Sequence, residues 1–397
     1  MARSISIIKK LSPAKIDNSP EIQQWVYQFS ENDQSIAKLL LSQLKFISYS
    51  DYSEWLKKTV LSIIDSSTVY ALYSIRKLDE GNKIYWDENG VPVSRSGHSL
   101  GSEDLVYSSI SNLVRMQKNF LDHPPLDELK NKRIRNYILI DDSIGSGDRV
   151  SNFINSMLHH PTFLSWWSFG WVQFHIVSFA RTKESEKKIL LNLKGSNSSK
   201  RKILKSSKIK FTSRIVYQKH WFRYRWGDNY EQLIELCKRK KQIKSWARLG
   251  YDNVFSNIIF YHSVPNNTPG MIWFDNKTWT PLMPKRVVPQ WLIDLLEEND
   301  CKAIRTSQFS NEMQCILKLI KKGIRKMTSI AIRLELDVQY TRSLLQHMIS
   351  LGLITESIRL TPRGREVFHQ ILKQNDTNSW NYSLYLPRSW CADSKSI

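Results

Sequence analysis

The spacing of apolar residues changes from a helical to a strand pattern near residue 66. Between residues 19 and 64 the apolar positions recur every three or four residues, which predicts a preface of two or three helices. Beyond it, the strand-like runs lie at residues 66–73, 137–140, 171–179, 209–217 and 254–262. Segments of helical spacing separate most of these runs, and this alternation predicts an α/β fold with a parallel sheet and crossover helices.

The last quarter of the chain has a different order of elements. Helical spacing over residues 311–350 predicts three helices, and Gly352 is placed to end the third of them as a C-terminal cap. The stretch Ile354–Leu360 suits a small hairpin, and Pro362 suits the first turn of a final helix. This order of three helices, a hairpin and a helix resembles a winged helix-turn-helix domain, a small α+β unit.

The composition is that of a folded globular protein. Hydrophobic residues make up 41% and aromatic residues 11% of the 397 positions, enough for a sizeable core and for two or three domains. No apolar run approaches the roughly 20 residues of a membrane helix, and the first residues lack the apolar core of a secretory signal. The four cysteines are scattered. We therefore expect a cytoplasmic protein with reduced cysteines and no membrane partner.

One apolar run, Tyr137–Ile140, ends in a sequence suited to binding a phosphate and a ribose. Asp141 and Asp142 follow it directly, and Gly145 and Gly147 interrupt the next turn before a segment of helical spacing. In open α/β sheets, ligands bind at the carboxyl ends of the strands, and loop amides with a helix N-terminus bind anions. The same pattern also fits an ordinary strand and turn with an acidic helix cap.

The whole pattern resembles the phosphoribosyl pyrophosphate loop of type I phosphoribosyltransferases, in which two acidic residues and a Thr-Gly-Gly-Thr-like turn follow an apolar strand. The resemblance implies that Asp141 and Asp142 bind the ribose hydroxyls and are the catalytic residues. In the loop that would hold the 5′-phosphate, Ser146 matches the hydroxyl residue and Gly147 the first glycine. Asp148 stands in place of the second glycine, and its charge opposes a phosphate. The predicted ligand-binding residues of this loop are Ser143, Gly145, Ser146, Gly147 and Asp148.

The resemblance further implies a ligand such as phosphoribosyl pyrophosphate or a nucleotide, with Mg²⁺ held only through its diphosphate. Arg76 and Lys77 follow the run at residues 66–73 and are candidates to meet that diphosphate, although surface solubility explains the pair as well. His262, Asn266 and Asn267 are candidates to close the cleft. A histidine at a strand end is commonly structural, however, and asparagine is a common turn residue.

Residues 20–285 resemble, more narrowly, the phosphoribosyltransferase-like domains of bacterial conflict systems. The resemblance rests on a late strand that ends in His262, on the Pro-Asn-Asn-Thr turn at residues 265–268 with the Trp-containing segment after it, and on the helical preface with Trp25 and Phe29. Some members of this group are encoded beside retron reverse transcriptases and carry an added winged helix. The resemblance thus implies an antiphage effector, with a reverse transcriptase or another defence-system subunit as partner.

Positive charge is concentrated in one segment of the chain. Of 58 Lys and Arg and 37 Asp and Glu in all, residues 181–248 hold 21 and 5. Cations interleaved with aromatic residues neutralise phosphates and stack on bases, which predicts nucleic-acid binding. A solvated basic face that meets an acidic partner gives the same pattern. The candidates are Lys200, Arg201, Lys202, Lys205, Arg223, Arg225, Lys238, Arg239, Lys240 and Lys241.

The winged helix supplies a second set of nucleic-acid-binding candidates. In such domains the second helix of the turn enters the major groove of DNA. The candidates for base contacts are Gln339, Tyr340, Arg342 and Ser343, and those for phosphate contacts are Arg359, Arg363 and Arg365. Winged helices also serve as protein-interaction or dimerisation modules, and this alternative stays open.

These patterns together predict five segments of the chain. They are a helical preface at residues 1–65, a phosphoribosyltransferase-like domain at 66–285 with a basic insertion at 195–248, a linker at 286–307, a winged helix-turn-helix at 308–375 and a tail at 376–397. The predicted function is chemistry at the anomeric carbon of a ribose, controlled by a bound nucleic acid.

Two alternatives from other functional classes stay open. One is a DNA-binding regulator that senses the ligand without catalysis, as in bacterial purine repressors, whose winged helix is N-terminal. The other is a structural subunit of a nucleoprotein complex. The acceptor, the direction of the reaction, the choice between DNA and RNA, and the oligomeric state are open as well.

Overall fold

The computed structural model describes residues 8–77, 84–93, 102–193, 207–219, 221–297 and 311–378. The chain divides into two compact units. The first comprises Met1–Gln308 and Met327–Thr341, and the second comprises Phe309–Lys326 and Arg342–Ile397. The chain therefore enters the second unit, returns to the first, and enters the second again.

Parallel strands form the centre of the first unit. The strands are β1 (Lys45–Ile47), β2 (Tyr70–Ser74), β3 (Phe120–Asp122), β4 (Asn136–Ile144), β5 (Gln173–Thr182), β6 (Ile209–Tyr217) and β7 (Ile258–Phe260). One sheet has the order β3-β2-β4-β5-β6, and the other pairs β1 with β7. Every one of these strand pairs is parallel, which confirms the predicted α/β fold.

Helices connect the strands, as the alternating pattern predicts. The α-helices are α1 (Pro13–Asn18), α2 (Pro20–Val26), α3 (Glu31–Gln43), α4 (Tyr49–Ile63), α5 (Ser102–Met116), α6 (Leu126–Asn131), α7 (Asp148–Met157), α8 (Pro161–Ser168), α9 (Lys183–Asn192), α10 (Phe222–Trp226), α11 (Tyr230–Arg239), α12 (Ser245–Arg248), α13 (Gln290–Glu297), α14 (Asn311–Lys321), α15 (Met327–Leu334), α16 (Val338–Ser350) and α17 (Pro362–Asn378). None of the described helices is long and apolar enough to cross a membrane.

Strand β4 lies in the middle of the large sheet and is buried on both faces. Tyr137 and Leu139 pack into one hydrophobic cluster with residues of α7, α8 and α9, while Ile138 and Ile140 pack into a second cluster with residues of α4 and α5. Side chains alternate between the two faces of a strand, so a continuous apolar run fills both layers. This packing fixes the carboxyl end of β4, where the candidate site lies.

The N-terminal preface is not entirely helical. Helices α1 to α4 occupy most of it, but Lys45–Ile47 forms a short strand that pairs in parallel with β7. Phe46 in this strand is fully buried. The sequence pattern missed β1 because three residues are too few to show an alternation of period two.

The second unit contains α14, α17 and most of α16. Gly352 follows α16 with a φ of +67°, as expected for a glycine that caps a helix. Gly364 lies in α17, where an added Cβ would stand 2.0 Å from the Leu353 carbonyl oxygen. In place of the predicted hairpin, Ile354 and Leu360 form a single antiparallel bridge. The structure thus brings the wing segment and the last helix together through a position that only glycine fills.

Helix α15 and the turn after it belong to the first unit. The Val216 N–H donates to the Glu335 carbonyl oxygen over 2.7 Å, and Ile215 and Leu336 form an antiparallel bridge. The Asp337 N–H donates to the Arg214 carbonyl oxygen over 3.2 Å. The segment before α16 therefore hydrogen-bonds to the outer edge of β6.

Candidate functional site

The acidic pair lies at the carboxyl end of β4. Asp141 is 3% exposed and Asp142 4% exposed, and both precede the loop that leads into α7. Gly147 caps that helix with a φ of +87°, and a Cβ there would stand 2.7 Å from the Ile189 side chain. Both observations require glycine at this position. The loop thus brings its backbone and the first turn of α7 close to the two carboxylates.

Two cationic or potentially cationic side chains contact the acidic pair. The Arg149 Nη2 group donates to Asp141 Oδ1 over 2.5 Å and lies 3.6 Å from Asp142 Oδ1. His262 Nε2 lies 3.2 Å from Asp142 Oδ2. His262 was a sequence candidate, whereas Arg149 was not. The sequence signal for Arg149 is its place in the first turn of α7, only eight residues after Asp141.

The two carboxyls have opposite pKa shifts. Burial raises the pKa of Asp141 to about 8, since the cation of Arg149 only partly offsets the loss of solvation and the neighbouring Asp142 adds to it. Burial also acts on Asp142, but the hydrogen bond and charge of His262 and the charge of Arg149 outweigh it and lower the pKa of Asp142. The surroundings therefore favour the neutral form of Asp141 and the ionised form of Asp142.

Several buried polar atoms at the site have no hydrogen-bond partner among the described residues. They are Asp141 Oδ2, His262 Nδ1 and Asn267 Oδ1. Buried polar groups are nearly always paired with protein or water. Asp141 and Asn267 both line an open cleft, so these two residues are placed to meet a ligand that enters it.

The cleft has a volume of about 280 Å³, near the lower end of the range of small-molecule sites. Two arginines, Arg149 and Arg286, contribute positive charge to its walls. Its lining residues are Asp141, Asp142, Ser143, Ile144, Gly145, Ser146, Gly147, Asp148, Arg149, Val150, Tyr251, Ser263, Pro265, Asn266, Asn267 and Arg286. The structure therefore brings together the whole predicted loop and Asn266, with His262 in contact with Asp142.

Asp148 does not stand as an unpaired anion in the loop. Its carboxylate accepts from Lys188 Nζ over 2.9 Å and from the Ser146 hydroxyl over 2.8 Å. Burial raises the pKa of this carboxylate, but the two hydrogen bonds and the charge of Lys188 together outweigh it, so the pKa is lowered. Lys188 thus offsets the charge that the sequence places against a phosphate, but the Ser146 hydroxyl is already used as a donor.

The two cations predicted to meet a diphosphate do not line this cleft. Arg76 Nη2 donates to the Val93 carbonyl oxygen over 2.6 Å, and its guanidinium lies 5.5 Å from the Tyr85 ring centre. Lys77 is exposed at the end of β2. Strand β2 is the parallel neighbour of β4 in the sheet, so both residues lie, like the acidic pair, at the carboxyl ends of the strands.

The basic candidates are placed in different surroundings. Lys200, Arg201, Lys202 and Lys205 lie outside the described residues. Lys238 and Lys241 are exposed, Arg239 is paired with Asp33, and Lys240 lies 3.9 Å from the Phe29 ring centre. The basic surface is thus partly neutralised or used in packing within the first unit.

The surroundings of Arg225 contradict the prediction that it binds nucleic acid. It is 4% exposed, and its guanidinium binds Glu335 through Nη2 at 2.6 Å and through Nε at 3.0 Å. It also donates to the carbonyl oxygens of Val254 and Phe255. A guanidinium so enclosed cannot contact a nucleic acid, so the prediction for Arg225 is wrong. The neighbouring Arg223 is exposed and paired with Asp228.

The winged-helix candidates divide between the two units. Gln339 and Tyr340 belong to the first, where the half-buried Tyr340 ring lies 5.5 Å from the Arg214 guanidinium. The remaining candidates are exposed within the second unit: Arg342, Ser343, Arg359, Arg363 and Arg365. Four arginines on the second unit are therefore accessible for phosphate contacts.

The described residues contain no group of three or more His, Cys, Asp or Glu side chains arranged to hold a metal ion. Asp141 and Asp142 are adjacent at the cleft, whereas Asp148, which also lines it, is paired with Lys188. Oxygen donors of this kind suit Mg²⁺, which commonly binds through one or two carboxylates together with substrate phosphates. The donor set therefore fits a metal ion whose remaining ligands come from a diphosphate and water.

Comparison with known proteins identifies the family. A family model described as PRTase-CE matches residues 22–285, which is more than half of the chain, and one described as wHTH-PRTase associated matches residues 314–392. No curated protein and no solved structure gives a significant match. The chain therefore belongs to the PRTase-CE family and joins a phosphoribosyltransferase-like domain to a C-terminal winged helix-turn-helix.

Proposed function

We propose that this protein is a phosphoribosyltransferase-like effector that acts on a ribose-phosphate ligand or nucleotide and whose activity is controlled by a bound nucleic acid. The observation that carries the proposal is the combination of the buried Asp141–Asp142 pair with a glycine-capped helix start in one cleft. Carboxylates accept hydrogen bonds from sugar hydroxyls, and backbone amides at a helix start bind phosphates. The carboxylates and the helix start are adjacent in the cleft, as the hydroxyls and the phosphate are in a ribose 5-phosphate.

The acidic pair, the loop and the arginines of the cleft have separate parts in this chemistry. Asp142, ionised beside His262, would accept a hydrogen bond from one ribose hydroxyl, and the unpartnered Asp141 Oδ2 would bind the other. The loop from Gly145 to Gly147 would hold the 5′-phosphate. Arg149 and Arg286 would supply positive charge to the phosphate groups. Held in this way, the anomeric carbon is presented to an acceptor in a fixed orientation.

The transfer itself forms a bond from an acceptor atom to the anomeric carbon and breaks the bond to the diphosphate oxygen, which leaves with the electron pair. When bound, Mg²⁺ would neutralise the charge that develops on the leaving diphosphate. The cations of the cleft act in the same direction, since a site that matches developing charge lowers the barrier.

The proposed setting is bacterial antiphage defence in the cytoplasm, in association with a retron. The support is the family membership together with the winged helix, whose exposed arginines suit a nucleic acid such as msDNA or its RNA. A reverse-transcriptase gene and a structured RNA next to the gene would agree with this setting. A gene that stands alone, whose deletion or overexpression leaves phage infection unchanged, would contradict it.

A second candidate is a regulator that senses the ligand without turning it over. The specific observations that favour it are the Arg149–Asp141 ion pair and the Ser146–Asp148 hydrogen bond, since both engage groups that a catalytic loop would present to its ligand. Turnover with a base or other acceptor separates the two candidates. Ligand-dependent DNA binding without turnover would favour the regulator.

The direct test is binding of phosphoribosyl pyrophosphate with Mg²⁺ by isothermal titration calorimetry. We expect binding to the native protein and none to the Asp141→Asn/Asp142→Asn variant, because amides in place of the carboxylates remove the charged acceptors for the ribose hydroxyls. Circular dichroism should show that this variant is folded. The matched control is Asp228→Asn, an exposed carboxylate outside the cleft. Equal binding by the native protein and the double variant would overturn the assignment.

A further inference from the structure

A pair of stacked, exposed aromatic rings stands at the amino end of the large sheet. Phe169 is 70% exposed and Trp171 46% exposed. Their ring centres are 5.4 Å apart and their planes differ by 29°. Large apolar side chains left in solvent together, rather than singly, mark a surface that binds something.

The turn that carries these rings is well defined. Gly170 lies between them with a φ of +78°, and its N–H donates to the Trp167 carbonyl oxygen over 3.1 Å. The Trp171 N–H donates to the Trp166 carbonyl oxygen over 2.9 Å. The two rings are thus held in place before any partner binds, which reduces the entropy lost on binding.

Two cations flank the rings. The Arg135 guanidinium lies 5.7 Å from the Trp171 ring centre. Lys208 Nζ donates to the Trp167 carbonyl oxygen over 2.6 Å, and its Cε atom would be 3.7 Å from a Cβ on Gly170. We call the four residues Arg135, Phe169, Trp171 and Lys208 the amino-edge surface.

The sheet topology explains why these residues meet. Arg135 directly precedes β4, Trp171 comes two residues before β5, and Lys208 directly precedes β6. The three strands are parallel neighbours, so the residues before them lie together at the amino ends of the strands. The ligand cleft begins at Asp141, six residues after Arg135 along β4, and so lies about 20 Å away at the carboxyl end of the sheet.

Acidic residues are absent from two of the segments that build this surface. No Asp or Glu occurs between Arg149 and Lys183 or between Lys208 and Gly227. Among the described residues, Arg135 has no carboxylate partner. A second exposed aromatic pair, Trp221 and Tyr224, stands beside Arg223, whose charge Asp228 neutralises. Of these two exposed aromatic pairs, only Phe169 and Trp171 have beside them a described cation without a carboxylate partner, which is Arg135.

We propose that the amino-edge surface binds single-stranded nucleic acid, with bases stacked on Phe169 and Trp171 and phosphates beside Arg135 and Lys208. Stacking on aromatic rings next to cations is how proteins hold single strands. A duplex presents no base faces to such rings, since its bases are stacked inside. The proposal rests on the nucleic-acid part of the proposed function and places it at an edge of the sheet that is separate from the ligand cleft.

The test is fluorescence anisotropy with labelled mixed-sequence DNA and RNA single strands, titrated with the full-length protein at low and physiological salt. We expect the Phe169→Ala/Trp171→Ala variant to bind at least about tenfold more weakly. Phe169→Tyr/Trp171→Phe should keep most of the binding, because the rings remain. Arg135→Ala should weaken binding and reduce its salt dependence. Tyr27→Ala, which removes an equally exposed ring elsewhere, is the matched control and should change nothing.

The outcomes separate this inference from the proposed function. Native binding that survives the double alanine change would overturn the amino-edge surface and leave the proposed function standing. A native protein that binds neither strand would remove the nucleic-acid part of both, while phosphoribosyl pyrophosphate binding reports on the cleft independently. If the double variant does not fold, Phe169→Ala alone makes the same comparison.

Discussion

The Arg149 guanidinium donates to the Asp141 carboxylate over 2.5 Å at the wall of the candidate cleft. The arginine side chain is 34% exposed, whereas the aspartate side chain is only 4% exposed. An exposed cation that donates to a buried carboxyl group from the solvent side is placed to exchange that partner for an anionic ligand. Arg149 thus links the acid pair to the proposed phosphate site.

Replacement of this arginine tests the link. We predict that Arg149→Gln weakens phosphoribosyl pyrophosphate binding by roughly tenfold or more, because a charge-assisted hydrogen bond contributes on the order of 1.5–3 kcal/mol. Isothermal titration calorimetry at several salt concentrations measures the change. Lys241→Gln, an exposed cation outside the cleft, should leave the affinity unchanged. Tighter binding by Arg149→Gln would instead mean that the arginine blocks the site.

The raised pKa of Asp141 predicts a specific pH dependence of stability. Between its ordinary value of 3.8 and about 8, the native carboxyl keeps a proton that the unfolded chain releases. The native state then binds more protons, so the contribution of Asp141 to the free energy of unfolding falls as pH rises through this window. Asp142 acts in the opposite sense, and its contribution is lost only as pH falls below 3.8.

Urea unfolding from pH 5 to 8 measures this slope. Asp141→Asn imitates the protonated side chain, so the variant should lose stability less steeply than the native protein as pH rises. Asp148→Asn is the matched control, because the pKa of Asp148 is lowered and its titration lies below the window. Parallel stability curves for the native protein and Asp141→Asn would contradict the prediction.

The two loop glycines should respond differently to the same change. Gly147→Ala forces a side chain into a φ of +87° and against Ile189, and we predict a loss of at least about 1 kcal/mol in the free energy of unfolding. Gly145→Ala meets only the Asn267 side chain at 3.7 Å and should be tolerated. Urea unfolding of the two variants makes the comparison. Equal stabilities would show that the glycine cap of α7 is not required.

The Arg225–Glu335 pair does not line the cleft, and it predicts a large effect on stability. Glu335→Gln leaves a buried guanidinium without its counter-charge, which costs about 3–5 kcal/mol in comparable buried pairs. Chemical unfolding measures the loss. The exposed pair of Arg223 and Asp228 offers the control, since Asp228→Asn should leave stability unchanged within error. A similar small effect of both changes would show that Glu335 does not hold Arg225.

Much of the large sheet could be predicted from local sequence. The apolar run Tyr137–Ile140 fills two hydrophobic layers, so four consecutive apolar residues are enough to predict that the strand is buried on both faces. The acidic pair and the glycines after this run predict the position of the cleft. Short strands such as β1 and β3 carry no such period and were missed. The carboxylate that encloses Arg225 lies 110 residues away along the chain, so local pattern placed that arginine on the surface. Arg149 was missed because its role depends on the direction of one side chain.

The antiparallel contact of the Glu335–Asp337 segment with β6 also limits where this chain can be truncated. Strand β6 is the last in its sheet, and an uncovered edge strand is a template for aggregation. A fragment that stops at residue 285, where the PRTase-CE match ends, would keep β6 and lose the segment that satisfies its backbone groups at Arg214 and Val216. A soluble phosphoribosyltransferase-like domain is therefore better sought in a chain that retains α15 and the turn after it.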